Sequence, residues 1–326
     1  MLRKKQRKSS ARLQPQMEGK SRFAKGWRRF RQQIYLQCMV VPAIVWVIIF
    51  CYIPMYGVII AFTDYKPSMG FFGGKFVGLK HFRAFFADKI AVEAIWNTLI
   101  ISALKLLFGF PAPIIFALLL NEVMSPGFKK FIQTVSYLPF FISWVILASI
   151  MQTLLGMDGP IMDALVSTGI LEKPIAILGM KEHFRTVAVV SDIWKGVGWS
   201  SILYTAAIAS IPQEQYESAF LDGASRWQRV FHITIPSILP TICIQLILAS
   251  SGILGSNFDQ HYLLGNQQVL EVAETIDTYV FKMGLSQGRY SYATAVSLGR
   301  AVISFVLLFI TDRVIRWLSD GEQGLF

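Results

Sequence analysis

The chain has 326 residues, of which 54% are hydrophobic and only 16% charged, and its mean hydropathy is +0.49. Soluble domains carry about 25% charged residues, so this is a polytopic membrane protein and not a soluble one. The net charge of +11 does not indicate a nucleic-acid partner, because 12 of the 31 Lys and Arg precede Ile34, where anionic lipid and the positive-inside rule account for them.

Residues 1–34 read as a basic cytoplasmic tail with an interfacial helix. The tail is too long in charge, and lacks the small-residue cleavage site, for a removable signal. Six segments then have the length and apolarity of membrane spans: 36–63, 95–120 with Lys105, 131–155, 186–211 with Asp192 and Lys195, 233–254, and 292–310 with Arg300. Pro42, Pro54, Pro111, Pro113 and Pro139 fall inside or at the ends of these runs and predict kinks. Six spans put both termini on one side. The intervening loops on that side, with the termini, hold 18 Lys and Arg against 10 on the other, which places the termini in the cytoplasm. The domain division is therefore tail 1–34, six-span body 35–318 and cytoplasmic tail 319–326. Cys38, Cys51 and Cys243 lie in or beside apolar runs without metal spacing and read as small apolar filler.

The cytoplasmic loop 212–235 is too short to be a domain and reads as a surface presented to a partner. Pro212 stops the fourth span, and 213–224 forms a short amphipathic helix with Glu214 and Glu217 in its opening turns, where the helix dipole favours acid. Gly223 ends that helix or lets another backbone approach closely. Residues 226–232 make a second polar turn, and Pro236 opens the fifth span.

Glu217-x-Ala219, three residues including Asp222, Gly223, nine residues, then Ile233-x-Ile235-Pro236 resembles the signature loop of bacterial ABC-importer permeases. Ser218 and Ile235 depart mildly from it, standing where Ala and Leu are usual. Phe62-Thr-Asp-Tyr65, Val77-Gly-Leu-Lys-His-Phe82, Tyr137-Leu-Pro139, Glu274-Thr-Ile-Asp-Thr-Tyr279 and Tyr290-Ser-Tyr-Ala-Thr-Ala295 resemble the oligosaccharide branch of that family. The maltose-type larger permease is the familiar relative. The permeases for polysaccharide fragments, the alginate importer among them, are more similar still. The resemblance covers residues 35–318 and implies an all-α, type I ABC-importer permease fold in a bacterial inner membrane. It implies alternating access, with a second homologous permease, two ATPase subunits, an extracytoplasmic solute-binding protein and an oligosaccharide cargo. ATP and magnesium would bind the partner ATPase; this chain has no G-x-x-x-x-G-K-[ST] loop and is expected to bind no cofactor or metal.

Charge inside a span marks a pathway, a partner or a headgroup. Lys105 either snorkels or functions; Arg300 either meets an acid on the second permease or functions. Asp192 lies one turn before Lys195, so an intrahelical pair is open. The surrounding Trp194, Gly196, Gly198 and Trp199 equally suit a carbohydrate site. Registered on Glu217, the resemblance brings sugar contacts to Lys195, Gly196 and Trp199 in span four and to Ser250, Leu254 and Asn257 in span five. A looser registration on Leu138-Pro139 adds Phe140 and Trp144. A cation at Lys195, where the maltose-type site is neutral, leads to an acidic cargo such as a uronate chain from alginate or pectin. Asp259 and Gln260 read as a helix cap or as substrate contacts, and His81, His183, His232 and His261 as bland. Two other classes would leave different marks. A secondary transporter or channel would show inverted repeats and coupling acids, and a membrane enzyme would show an acid/base pair or metal cluster. Neither pattern is present.

Overall fold

The structure is a computed structural model that describes residues 33–71, 73–252, 254–255 and 257–318. The basic tail with its expected interfacial helix, and the 319–326 tail, lie outside the described residues. The chain divides into two compact units, Met1–Gly57 and Val58–Phe326. In the first, α1 (Ile34–Val47) is apolar on every face and its side chains are exposed, as in a helix solvated by lipid.

In the second unit a short antiparallel pair, β1 (Thr63–Asp64) and β2 (Lys75–Phe76), precedes α2 (Lys80–Ala87) and α3 (Lys89–Leu104). Then come α4 (Pro111–Asn121), α5 (Pro126–Tyr137), α6 (Trp144–Leu154), α7 (Pro160–Ser167) and α8 (Lys181–Ala209). The remainder is α9 (Gln213–Leu221), α10 (Arg226–Arg229), α11 (Ile235–Ser251), α12 (Phe258–Leu264), α13 (Leu270–Ala273), α14 (Ile276–Phe281) and α15 (Tyr290–Leu318).

Among the described residues, four helical runs are long and apolar enough to cross a membrane: Ile34–Phe62, Lys89–Asn121, Arg226–Ser250 and Tyr290–Trp317. The expected span 131–155, in which Pro139 predicts a kink, is broken there: Pro126–Phe141 and Trp144–Leu154 meet at 99°. The expected span 186–211 lies in α8, whose 29 residues reach about 43 Å at 1.5 Å per residue. Asp192, Lys195 and the glycines and serines in its middle make α8 less apolar than the other four.

The prolines act in a regular way. Pro54, Pro111 and Pro236 are each preceded by a five-residue π turn starting six positions earlier, at Ile48–Tyr52, Lys105–Gly109 and Val230–Thr234. A proline ring collides with the carbonyl four residues back and offers no amide; widening the turn by one residue relieves both faults. Ile53, Phe110 and Ile235 accordingly donate to carbonyls five residues back. Pro236 therefore does not open the fifth span. The helix begins at Arg226, and the expected polar turn 226–232 is its first part.

Three clusters form the core of this unit. One joins α2, α3, α14 and α15 through Phe85, Ala94, Ile276, Tyr279 and Val296. A second joins α6, α8, α12 and α13 through Ala148, Phe184, Ala188 and Leu264. The third joins α4, α8 and α11 through Ala117, Tyr204 and Ile238. Helix α8 enters two of the three and is the central strut.

Candidate functional site

The loop after α8 is built as a rigid knob. Pro212 stands at the N-cap of α9, and Glu214 lies in its first turn. At the far end the Gly223 amide donates to the Phe220 carbonyl (3.1 Å) and the Ala224 amide to that of Ala219 (2.9 Å). This double closure is the Schellman arrangement. It needs a left-handed residue, and Gly223 supplies it at φ +77°. Ser225 and Gln228 cap the next helix reciprocally. The Tyr216 hydroxyl meets Thr234 Oγ1 at 2.9 Å and ties α9 to the fifth span.

Glu214, Glu217, Asp222, Gly223 and Pro236 are exposed on this knob, and Ala219 and Ile233 are half-buried. Beside them Phe220 (68% exposed), Leu221 (86%) and Trp227 (67%) lie open. An exposed apolar patch edged by acids marks an interaction surface. These three were not anticipated from sequence. Their signal was large apolar side chains in a loop too polar to bury them.

A cavity of about 880 Å³ runs along α4, α8, α11 and the turn Lys105–Gly109. Of the residues expected at substrate, Asp192, Gly196 and Trp199 line it, together with Lys105. The Lys105 ammonium stands 3.5 Å from the Asp192 carboxylate and donates to Gln260 Oε1 at 2.8 Å. Gln260 in turn donates to the Ala188 carbonyl and Ser191 Oγ. It is fully buried and does not cap its helix. Asn257 donates to the second oxygen of Asp192. The open possibility of an Asp192–Lys195 pair is thereby corrected, since Asp192 turns to Lys105 and Asn257.

Lys195 points elsewhere. Its ammonium donates to the carbonyls of Pro139 (3.3 Å), Phe140 (2.7 Å) and Ile142 (2.5 Å). It also sits 5.6 Å and 5.9 Å from the ring centres of Phe140 and Trp144. Phe140 stacks on Trp199 at 4.5 Å with 5° between planes. Ser250 and Leu254 are buried at 3% and 1% exposure; the Ser250 hydroxyl donates to the Ile247 carbonyl, while Gly252 and Gly255 of the same stretch face the cavity. Arg300 donates to Asp277 of its own chain, so the expected acid need not come from a second permease. His261 is packed against Phe184 (ring centres 6.1 Å apart) and is 2% exposed.

The short motifs gather at the end of the unit opposite the knob. Asp64 pairs with Lys80 at 2.9 Å and with His81 at 3.2 Å, and the Lys80 hydrogen bond is the main reason its carboxyl is held below the usual carboxylate range. The Tyr65 amide donates to Ser291 Oγ (2.9 Å). Tyr279 donates to Asp88 (2.7 Å) and meets the Tyr292 hydroxyl (2.8 Å). Burial would raise the Asp88 carboxyl; the Tyr279 hydroxyl and the amides of Ala91 and Ile90 together outweigh it and lower it. Tyr137-Leu-Pro139 is the exception among the motifs, because it makes the break in span three.

The family described as binding-protein-dependent transport system inner membrane component matches residues 109–321, which include the knob, the last three spans and the cavity wall apart from Ser102, Lys105 and Leu106. The chain belongs to this family. It is 42% identical over 295 residues to the polygalacturonan/rhamnogalacturonan transport system permease protein YteP of Bacillus subtilis (strain 168), covering 90% of this chain and 91% of that one. Protein LplB of the same organism is 41% identical over 292 residues with the same coverage. A chain in the crystal structure of a bacterial ABC transporter involved in the import of the acidic polysaccharide alginate superposes with a TM-score of 0.83 at 38% identity, covering 90% of this chain and 98% of that one. A chain of the alginate transporter solved with an alginate pentasaccharide-bound periplasmic protein gives the same score and identity. The fold is that of a type I ABC-importer permease, as the loop motif implied. The protein is a membrane permease subunit of a sugar or polysaccharide importer.

Proposed function

We propose that this permease forms half of the pathway through which an ATP-driven importer carries an acidic oligosaccharide, a uronate chain of the alginate or pectin type, across a bacterial inner membrane. Both termini and the α9 knob face the cytoplasm. Two ATPase subunits holding ATP and magnesium dock on the knob. A second homologous permease completes the pathway, and an extracytoplasmic binding protein delivers cargo to the opposite end.

The observation that carries this reading is the knob itself: a short helix closed by a glycine turn at its far end and tied to the fifth span through Tyr216, with three large apolar side chains and three acids left open to a partner. The acidic cargo is supported by the names of the proteins this chain resembles and by the cation on the cavity wall. That cation is Lys105; Lys195, from which an acidic cargo was first expected, is bound to backbone carbonyls. With Asp192 beside it, Lys105 can exchange a carboxylate of the protein for one of the cargo, at a cost small enough for release. Purification of the tagged permease should bring down an ATPase and a second six-span protein, and Glu217→Lys should remove the ATPase. Reconstituted with its partners, the complex should take up oligogalacturonate or alginate fragments in an ATP-dependent manner. Recovery of an intact complex from Glu217→Lys, or uptake independent of ATP, would refute the reading.

A further inference from the structure

Span three is broken against the middle of α8, and both edges of the break are closed by specific groups. On one edge, Ser143 accepts the Ile146 amide (3.4 Å) and caps α6. On the other, the bend turns backbone carbonyls away from the helical ladder, at a place where an unpaired polar group is costly; Lys195 of α8 donates to those of Phe140 and Ile142 and, more weakly, to that of Pro139, which also accepts the Ile142 amide. One turn further along α8, Gly198 allows the Ser136 backbone to approach; a Cβ there would stand 2.1 Å from the Ser136 carbonyl oxygen. Next to it, Trp199 stacks on Phe140 and meets Phe141 edge-on at 5.7 Å. Positions 195, 198 and 199 share one helical face, and all three touch the same short stretch, 136–142.

From this grip α8 runs unbroken to Ala209, and α9 follows after three residues. A continuous helix of about 21 Å therefore joins the knob to the break. We infer that Lys195 is the clasp by which α8 holds span three, so that displacement of α9 passes along α8 to the bend. It is a positioning residue for coupling, and its charge serves the protein backbone, not the cargo. The grip rests on geometry alone; its use for coupling rests on the ATP-driven reading above.

The test uses the complete importer in lipid bilayers with its binding protein, carrying Lys195→Met, which keeps length and loses donors, or Lys195→Arg, which keeps them. Backbone hydrogen exchange over 138–146, ATP hydrolysis and uptake of labelled oligogalacturonate are measured together. Lys195→Met should speed exchange in that stretch about tenfold and lower the sugar carried per ATP about tenfold, with the complex still assembled. Lys195→Arg should keep both within about threefold of the parent. Unchanged exchange in Lys195→Met would overturn the clasp, and so would uptake and hydrolysis falling by one common factor. If the parent importer ignores oligogalacturonate, the cargo reading fails by itself, and the exchange measurement still decides the grip.

Discussion

Asp192 faces Lys105, 87 positions earlier in the chain and 3.5 Å away, while the lysine one helical turn beyond it reaches a different span. The two members of this pair are also tied by neutral partners, Lys105 by Gln260 and Asp192 by Asn257. The pair therefore braces α3, α8 and α12 around the cavity.

Removing one member leaves the other charge largely buried, at 17% exposure for Lys105 and 28% for Asp192. Lys105→Met should cost about 2–3 kcal/mol, read as a lower unfolding temperature of the purified complex. Adding Asp192→Asn should recover most of that stability without restoring uptake of acidic cargo. Additive losses in the double variant would show that the pair does not couple.

Gly223 sits at φ +77° with no atom near the position of an added Cβ. Only backbone strain opposes substitution. Gly223→Ala should cost about 1 kcal/mol locally and weaken ATPase binding several-fold, and Gly223→Asn, which tolerates this conformation better, should lose less. Equal behaviour of the two variants in a pull-down titration would contradict the assignment.

Leu221→Ser and Trp227→Ala remove exposed apolar surface and leave the folded permease intact. Each should weaken ATPase association by about tenfold, the effect of losing one well-buried anchor in an interface. Gel filtration of the complex at graded protein concentration measures it.

Gly198→Ala drives a methyl group into the Ser136 carbonyl. The helices must separate, and a loss of about 3 kcal/mol is expected, visible as poor recovery of folded protein from the membrane. Gly196→Ala, two residues away with open space around it, should be recovered normally.

At the opposite end, the Asp64 carboxyl is lowered in the folded protein, chiefly by its bond to Lys80. A lowered carboxylate contributes stability that is complete above its unfolded value near 3.8 and is lost as pH falls through the lower folded value. The difference between the parent and Lys80→Met should therefore stay flat from pH 8 to about 5 and shrink below about 4. A difference that changes between pH 6 and 8 would contradict the assignment to Asp64.

Local rules made much of this legible in advance. The knob followed from Pro212, the acids after it, and the spacing to Gly223, because caps and turns are decided within a few residues. What escaped was set by distance or by direction. Periodicity placed Asp192 and Lys195 one turn apart but could not tell that their side chains leave the helix toward different neighbours. The pairing of Arg300 with Asp277 required knowing how α14 packs on α15. Pro139 marked a kink in span three but not a bend of 99°, because hydropathy measures solubility in lipid without measuring straightness. The fourth span was recognised by length and position while its middle, rich in groups that serve neighbouring helices, fell short in apolarity.

The wide turn before Pro111 has a consequence for alignment and engineering. It inserts one surplus residue into the helical count, which advances every later side chain by about 100° of azimuth. Deleting a single position within Lys105–Gly109 would set the Pro111 ring against the carbonyl four residues back and swing the entire stretch Pro111–Asn121 round its axis, presenting lipid-facing residues to α8 and taking Ala117 out of the seam it now fills.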